Sequence, residues 1–415
     1  MSSRLLDGLG QHLTKVYWYG AHRSESPEET LGRMRPLGAR MGITRLGNVT
    51  GLDHIGIPVA VAIRPRSHSV AVSQGKGPTL VHAMTSAFME AAELLHGEEL
   101  RARARWESLR RLSMHARVAP PDLLNRTERH LSPRTEIPWI EGYDLCENRS
   151  CWVPLELVYT DFELSSHDCG DYFLASSNGL ASGNHVLEAI SSGICEVVER
   201  DAVALWERRS TIVRARTRVD LATIDDPNCL NLLQQYERSG MAVQVWDVTS
   251  DCGIAVFICE IHPRTHDPST MSRRSRGAGC HVGREIALSR ALTEAAQTRL
   301  THITGMRDDI FSDAYEDALE QRTGAAVLDA LAAIASPRSF REVPTLVAND
   351  IWNDIGWMRQ RLRAAGFPSV IVVDLTRPEF GIPVVRVIIP GLEGFSAHPN
   401  YRPGPRARHM ETTSI

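Results

Sequence analysis

The chain of 415 residues has little of several things, and each shortage closes off a class. No stretch approaches the ~18 consecutive apolar residues that a membrane helix needs. Met1 to Gly10 carry no basic segment followed by an apolar run, so no secretory signal is evident. A net charge of −4 supplies no global basic field for nucleic acid. The eight cysteines are scattered, which fits reduced cytosolic thiols better than a disulfide framework. A Gly-rich P-loop is also missing. The remainder is ordinary for a globular protein, with 43% hydrophobic and 23% charged residues in 46.0 kDa. That mass suffices for one large domain or two. The expected setting is cytoplasmic, with no nucleic acid and no membrane.

What is present is concentrated between Ser192 and Arg200. Each residue of an α-helix turns about 100°, so Ser192, Glu196 and Glu199 share a face about 60° wide. Ile190, Ile194, Val197 and Leu205 fall on the other side as a core stripe. No lysine lies in this helix, and its one arginine, Arg200, follows the second acid. Ser86, Glu90 and Glu93 repeat the spacing, backed by Val81, Met84, Phe88 and Leu95. A third helix gives a variant: Arg290, Glu294 and Gln297, followed by Arg299. One copy alone reads as a solvated acidic face. Two copies and a half-copy argue for more. Carboxylates at i, i+3 repel each other, and four of them from two helices suit a hard divalent ion such as Mg²⁺. Serine hydroxyls and the Gln297 amide suit phosphate or ribose oxygens. Arg200, Arg290 and Arg299 suit phosphate charge. The pattern reads as a nucleotide site with metal, built on helix faces.

In chain order, residues 1–41 read as a polar lead-in with a short helix from Pro27, capped by Ser26. Ile57 to Ile63 read as a buried strand, with Val70 to Ser73 as its partner. Gly75-Lys76-Gly77 reads as a turn, and Lys76 could meet a phosphate at the next helix N-terminus. The first acidic helix is expected over 79–96, and Arg101 to Arg111 as its basic continuation. Residues 116–140, with four prolines, read as an insert or surface loop. Strands are expected at Trp152–Tyr159 and Tyr172–Ala175, then a Gly-containing turn over 176–184 that opens the second acidic helix, 185–207. Residues 242–248 and 254–261 read as an antiparallel pair. Residues 263–276 read as a mobile loop, and Gly277 to His281 as the opening of a helix over 283–301. His281 is a site residue or a structural hydrogen-bond partner. Further helices are expected near 312–321, 324–335 and 349–365, and central strands at 369–375 and 384–389. Cys146, Cys151, His167 and Cys169 form a loose cluster; idle thiols are the simpler reading than zinc.

These residues resemble the YcaO family. The resemblance runs from Gly42-Ile43-Thr44-Arg45 and Gly51-Leu52-Asp53 through Ile57-Pro58-Val59, Gly75-Lys76-Gly77 and Ser86…Glu90…Glu93. It continues with Asn178 to Gly183, Ser192…Glu196…Glu199-Arg200, Arg290 to Gln297 and Pro383 to Leu392. Each motif is modest; their number and order are specific. The resemblance implies a single large α/β domain over 42–393, with mixed sheets and acidic-faced helices forming an ATP site, and a tail over 394–415. It implies ATP and Mg²⁺ as cofactors and activation of a peptide backbone amide. Glu90, Glu93, Glu196 and Glu199 would hold metal. Ser86, Ser192, Arg200 and Gln297 would hold nucleotide, with Arg290, Arg299, Lys76 and Arg45 as further phosphate candidates. Glu196, Glu199 and Arg200 would serve catalysis. The chain departs from the pattern after the third helix motif, where one residue instead of three separates Gln297 from Arg299 and Arg307 lies further on.

A peptide or protein substrate follows from that chemistry. Residues such as His22-Arg23 and Ser26-Pro27, and the absence of an N-terminal fusion or an alternating proline end, look like stand-alone members. Those work with a TfuA-type partner and make thioamides. The alternatives are an azoline-forming cyclodehydratase acting on Cys, Ser or Thr, and a Mg-ATP-binding scaffold without backbone chemistry. No cysteine pair reads as a sulfur relay, so the sulfur is expected from the partner. A homodimer is the default among soluble proteins.

Overall fold

Alanine spacing and strand glycines set the first layer. Ala83, Ala87 and Ala91 recur every four residues along one helix, and all three are fully buried. A Cβ on Gly75 would stand 2.1 Å from the backbone of both Ala83 and Ala87. Glycine there lets the strand lie directly against the helix. The contact recurs further along the chain, where a Cβ on Gly279 would lie 2.2 Å from Ala287 and 2.6 Å from Ala291. Two strand-to-helix units share one design, and Ser86, Glu90 and Glu93 stand where Arg290, Glu294 and Gln297 stand.

The computed structural model describes residues 3–100, 104–162, 170–264, 274–307, 329–331, 333, 337–396, 398 and 400–413. The chain opens with α1 (Ser3–Gly8) and α2 (Pro27–Met34). Ser26 and Glu29 cap α2 reciprocally. Next, β1 (Arg45–Asn48), β2 (Val59–Ile63) and β3 (Val72–Lys76) form an antiparallel sheet in that order. It delivers the chain to α3 (Leu80–Glu98). Then come β4 (Arg105–Ser108), α4 (Leu109–Leu112), β5 (Glu136–Asp144), β6 (Arg149–Pro154) and β7 (Leu180–Ser182), leading into α5 (Val186–Glu207). After α6 (Thr211–Ala215), β8 (Val219–Asp220) and α7 (Pro227–Arg238), a second antiparallel sheet forms from β9 (Met241–Asp247), β10 (Ala255–Pro263) and β11 (Ser275–His281). Its last strand feeds α8 (Arg284–Thr304).

The short β12 (Arg338–Ser339) pairs in parallel with β8. It is followed by α9 (Ile351–Ala364), β13 (Ile371–Asp374), β14 (Val384–Ile388) and α10 (Pro405–Thr413). Strands β4-β5-β13-β14-β7 run in that order through a six-stranded sheet, with β6 on β5. Helix α5 lies across β14 and β7, where a Cβ on Gly193 would come within 2.6 Å of Val387. Ile190, Ile194, Val197 and Leu205 are buried as their periodicity requires. The result is one mixed α/β domain. No helix among the described residues is long and apolar enough to cross a membrane.

Several elements differ from the sequence expectation. Gly75 and Lys76 end a strand instead of forming a turn. The run after α3 is not a helix at 105–108; it is β4, paired with β5. The expected insert at 116–140 ends inside β5, whose Ile137, Trp139 and Ile140 are buried in the core. Pro138 is accommodated within that strand. The strand expected at 152–159 stops at Pro154 in a short 3₁₀ turn, and 172–175 makes only an isolated bridge at Phe173. Gly277 to His281 do not open a helix; with Ser275 and Arg276 they form β11. Small residues there serve close packing on α8, not bending. Residues 265–273, the helix expected at 312–321 and most of that at 324–335 lie outside the described residues.

Candidate functional site

Helices α3, α5 and α8 turn their polar stripes toward one another. Burial pushes the Glu93 carboxyl up to about 8, reinforced by the neighbouring charges of Glu196 and Glu90. Burial likewise pushes Glu196 up to about 7, with Arg200 opposing and Glu199 adding to the shift. Glu199 is raised by burial, against the fields of Arg200, Arg290 and Lys76. Glu90 is raised by burial, against Arg307 and Lys76. Acids from two separated segments of the chain therefore share one electrostatic environment, in which charges from α8 also act.

Backbone groups fix several of these side chains. Ser182, at the end of β7, donates its N–H at 2.8 Å and its hydroxyl at 2.6 Å to Glu93. The N–H of Gln74 donates to Glu90 at 3.2 Å, while its carbonyl accepts from Gln297 at 3.2 Å. One residue of β3 thus ties the acidic stripe of α3 to the amide of α8. Arg200 lies 3.7 Å from Glu199 and 4.0 Å from Glu196. Arg290 donates to the Cys280 carbonyl at 3.4 Å.

The chain has two lysines, and neither is free. Lys15 is buried on Asp354 at 2.8 Å. Lys76 is paired with Glu294, which also accepts the Ala278 N–H at 3.3 Å. Burial opposes ionisation of Glu294, yet Lys76 and Arg200 hold its pKa below the usual carboxylate range. Glu294 stays charged and paired while its four acidic neighbours are pushed toward neutrality. Glu294 lies within the third helix motif, but local spacing does not single it out.

Other placements were not legible. Residues 13–24 are not a loose lead-in. Lys15 N–H donates to the Asn349 carbonyl, and Ile351 N–H to the Leu13 carbonyl. The His22 ring stands 4.6 Å from Trp18 and 5.0 Å, edge-on, from His281. This brings Arg23 to within 3.2 Å of the Ser192 hydroxyl and 3.7 Å of Glu188. His281 accepts the Gly283 N–H at 3.0 Å, and burial lowers its pKa, so its role here is structural. Phe395 packs 5.1 Å from the Arg200 guanidinium. Ser86 is half-buried on the same face of α3 as Glu90 and Glu93.

Two candidates are not brought in. Arg45 is exposed on β1, and no hydrogen bond or ion pair joins it to the acidic stripes among the described residues. Arg299 is engaged at 2.9 Å by Asp53. Arg307 instead acts on Glu90. Of the loose cysteine cluster, Cys146 and Cys151 are described; burial raises both thiols, Cys151 to about 11, which disfavours metal-binding thiolates. His167 and Cys169 lie outside the described residues. A cysteine pair does occur, because Cys195 of α5 meets Cys280 of β11. Both are buried, and the Cys280 thiol is pushed well up, so they make poor nucleophiles.

The donor set fits magnesium nucleotide. Mg²⁺ keeps several waters and is usually held by one or two carboxylates plus substrate phosphates. No three His, Cys, Asp or Glu converge as a self-sufficient cage among the described residues. Paired carboxylates on facing helices, with guanidinium groups and Lys76 between them, match an ion completed by phosphate oxygens.

Comparison with known proteins places the chain in a family. The family described as YcaO cyclodehydratase, ATP- and Mg²⁺-binding, matches residues 74–393. A Rhizobium leguminosarum bv. trifolii protein encoded in the tfuA 3′ region is 37% identical over 389 residues, covering 89% of this chain and 88% of that protein. The fold matches a heterocyclase solved with substrate and cofactor at a TM-score of 0.78 and 24% identity, over 95% of this chain and 56% of that one. It also matches YcaO from Methanopyrus kandleri, solved with AMPPCP and Mg²⁺, at a TM-score of 0.75 and 22% identity, over 95% and 98% of the two chains. The chain belongs to the YcaO family, whose members bind ATP and Mg²⁺.

Proposed function

We propose that this protein uses ATP and Mg²⁺ to activate a peptide backbone amide by O-phosphorylation, and that the product is a thioamide made with a TfuA-type partner. The observation that carries the amide-activating reading is the shared field of Glu90 and Glu93 with Glu196, Glu199 and Arg200. Its thioamide branch rests on the tfuA-region relative.

A backbone amide is a poor electrophile, and its oxygen is a poor leaving group. Hydrosulfide adds to the carbon, the oxygen accepts the γ-phosphoryl group, and the C–O bond then breaks to release phosphate. Sulfur loses its proton, and no oxidation occurs. Catalysis is then mostly positioning and charge stabilisation. Glu90, Glu93, Glu196 and Glu199 hold Mg²⁺, which neutralises triphosphate charge. Ser86, Ser192, Gln297 and Arg290 contact the nucleotide. Arg200 meets the transferring phosphoryl group, and Lys76 with Glu294 ties β3 to α8. Arg45 and Arg299 are left outside the site.

A second reading is favoured by the heterocyclase fold match. If the nucleophile is a Cys, Ser or Thr of the substrate, the same activation gives an azoline. Incubating the protein with a candidate peptide, a TfuA-type partner, Mg-ATP and sulfide separates the readings. Thioamidation adds about 16 Da and ring formation removes about 18 Da. Glu199→Gln is expected to abolish either change while the protein stays folded. Mg-ATP binding without any peptide mass change would leave a scaffold.

A further inference from the structure

Arg386 of β14 is 2% exposed, in a strand whose other residues are aliphatic. One of its nitrogens donates to the Ser176 carbonyl. Among the described residues, its Nε and Nη1 have no partner, although both are buried. The buried Oδ1 of Asn178 is also without a partner. Arg386 and Asn178 line the same cavity of about 30 Å³, walled by Leu124, Leu174, Val197 and Ile389. Val197 follows Glu196, whose charge acts on Arg386. Leaving a buried guanidinium this poorly satisfied is costly, and burial holds its pKa down at about 10.

We infer that this slot binds one hydrosulfide ion as the sulfur donor, an inference that rests on the thioamide reading above. The space is small and takes one small ion beside Arg386 and Asn178. A buried guanidinium calls for negative charge. The polar groups call for an occupant that accepts from Arg386 and donates to Asn178. A halide accepts only, and water brings no charge. Hydrosulfide accepts on sulfur and donates its S–H weakly. The aliphatic wall suits a weakly hydrated anion.

Bromide tests the slot independently of any reaction. Crystals of the full chain soaked in sodium bromide are expected to show an anomalous peak beside Arg386, and sodium hydrosulfide at equal concentration should displace it. An empty slot overturns the proposal and leaves amide activation standing. Bromide that sulfide fails to displace overturns the hydrosulfide assignment. In the peptide assay, Arg386→Met and Asn178→Ala should each raise KM for sulfide about tenfold while KM for ATP stays within about twofold. The asparagine variant covers a folding failure of the arginine one. Unchanged sulfide KM in both sinks the proposal. Should the peptide gain no sulfur under any condition, the thioamide reading and this assignment fall together, whereas the bromide result still decides whether the slot binds anions.

Discussion

Lys76, the last residue of β3, forms an ion pair with Glu294 in the middle of α8. The pair joins the two repeated strand-to-helix units across the site. A charge-assisted contact of this kind is worth about 1.5–3 kcal/mol. Lys76→Met is expected to weaken Mg-ATP binding about tenfold or more. Isothermal calorimetry checks it; unchanged affinity would make the pair purely structural.

The acidic stripes predict an unusual pH dependence. Glu93 is pushed up to about 8 and Glu196 to about 7, from an ordinary value of 4.5. The folded protein therefore holds protons that the unfolded chain has released, and stability falls as pH rises. The loss begins near the ordinary carboxyl value and is complete above about 8. Thermal melts without nucleotide should shift down across that window. Saturating Mg-ATP should flatten the slope, since a bound cation favours the charged carboxylates. Equal slopes with and without Mg-ATP would contradict metal binding by these residues.

Arg23 reaches Ser192 from a segment far away in sequence. Glu188 keeps three other donors, from Ser24 and Asn184, so Arg23→Ala should leave the fold intact. ATP affinity is expected to fall about fivefold to tenfold with a melting temperature within about 2 °C of wild type. Filter binding and calorimetry read the two effects separately.

Arg406 clasps the C-terminal segment to α5. It binds Asp201 at 2.9 Å through Nε, and also meets Asp251. Asp201 is fully buried. Arg406→Ala strands that carboxylate and is expected to cost about 3 kcal/mol in urea unfolding. Arg406→Ala with Asp201→Asn should recover part of the loss, because the remaining group is neutral.

The helices were legible because periodicity reports burial directly. Ser192, Glu196 and Glu199 share a face on any helix, whatever packs behind it. Strand β11 was not, because Gly277 and Gly279 look like the opening of a helix when their reason is the backbone of α8. Strand β4 hid in a run of arginines, and β5 in a proline-rich stretch. The acidic half of the site could be read from local spacing. Arg23, the partner of Glu294 and the environment of Arg386 depend on contacts between distant segments, which no local pattern encodes.

With Lys15 sealed in an ion pair and Lys76 retaining partial exposure at the proposed nucleotide site, side-chain amine chemistry on this molecule is close to a single-channel reporter. An acyl-phosphate analogue of ATP should acylate Lys76 and little else among its side chains. Peptide mapping of that one adduct would measure site occupancy in a crude extract, without a substrate in hand.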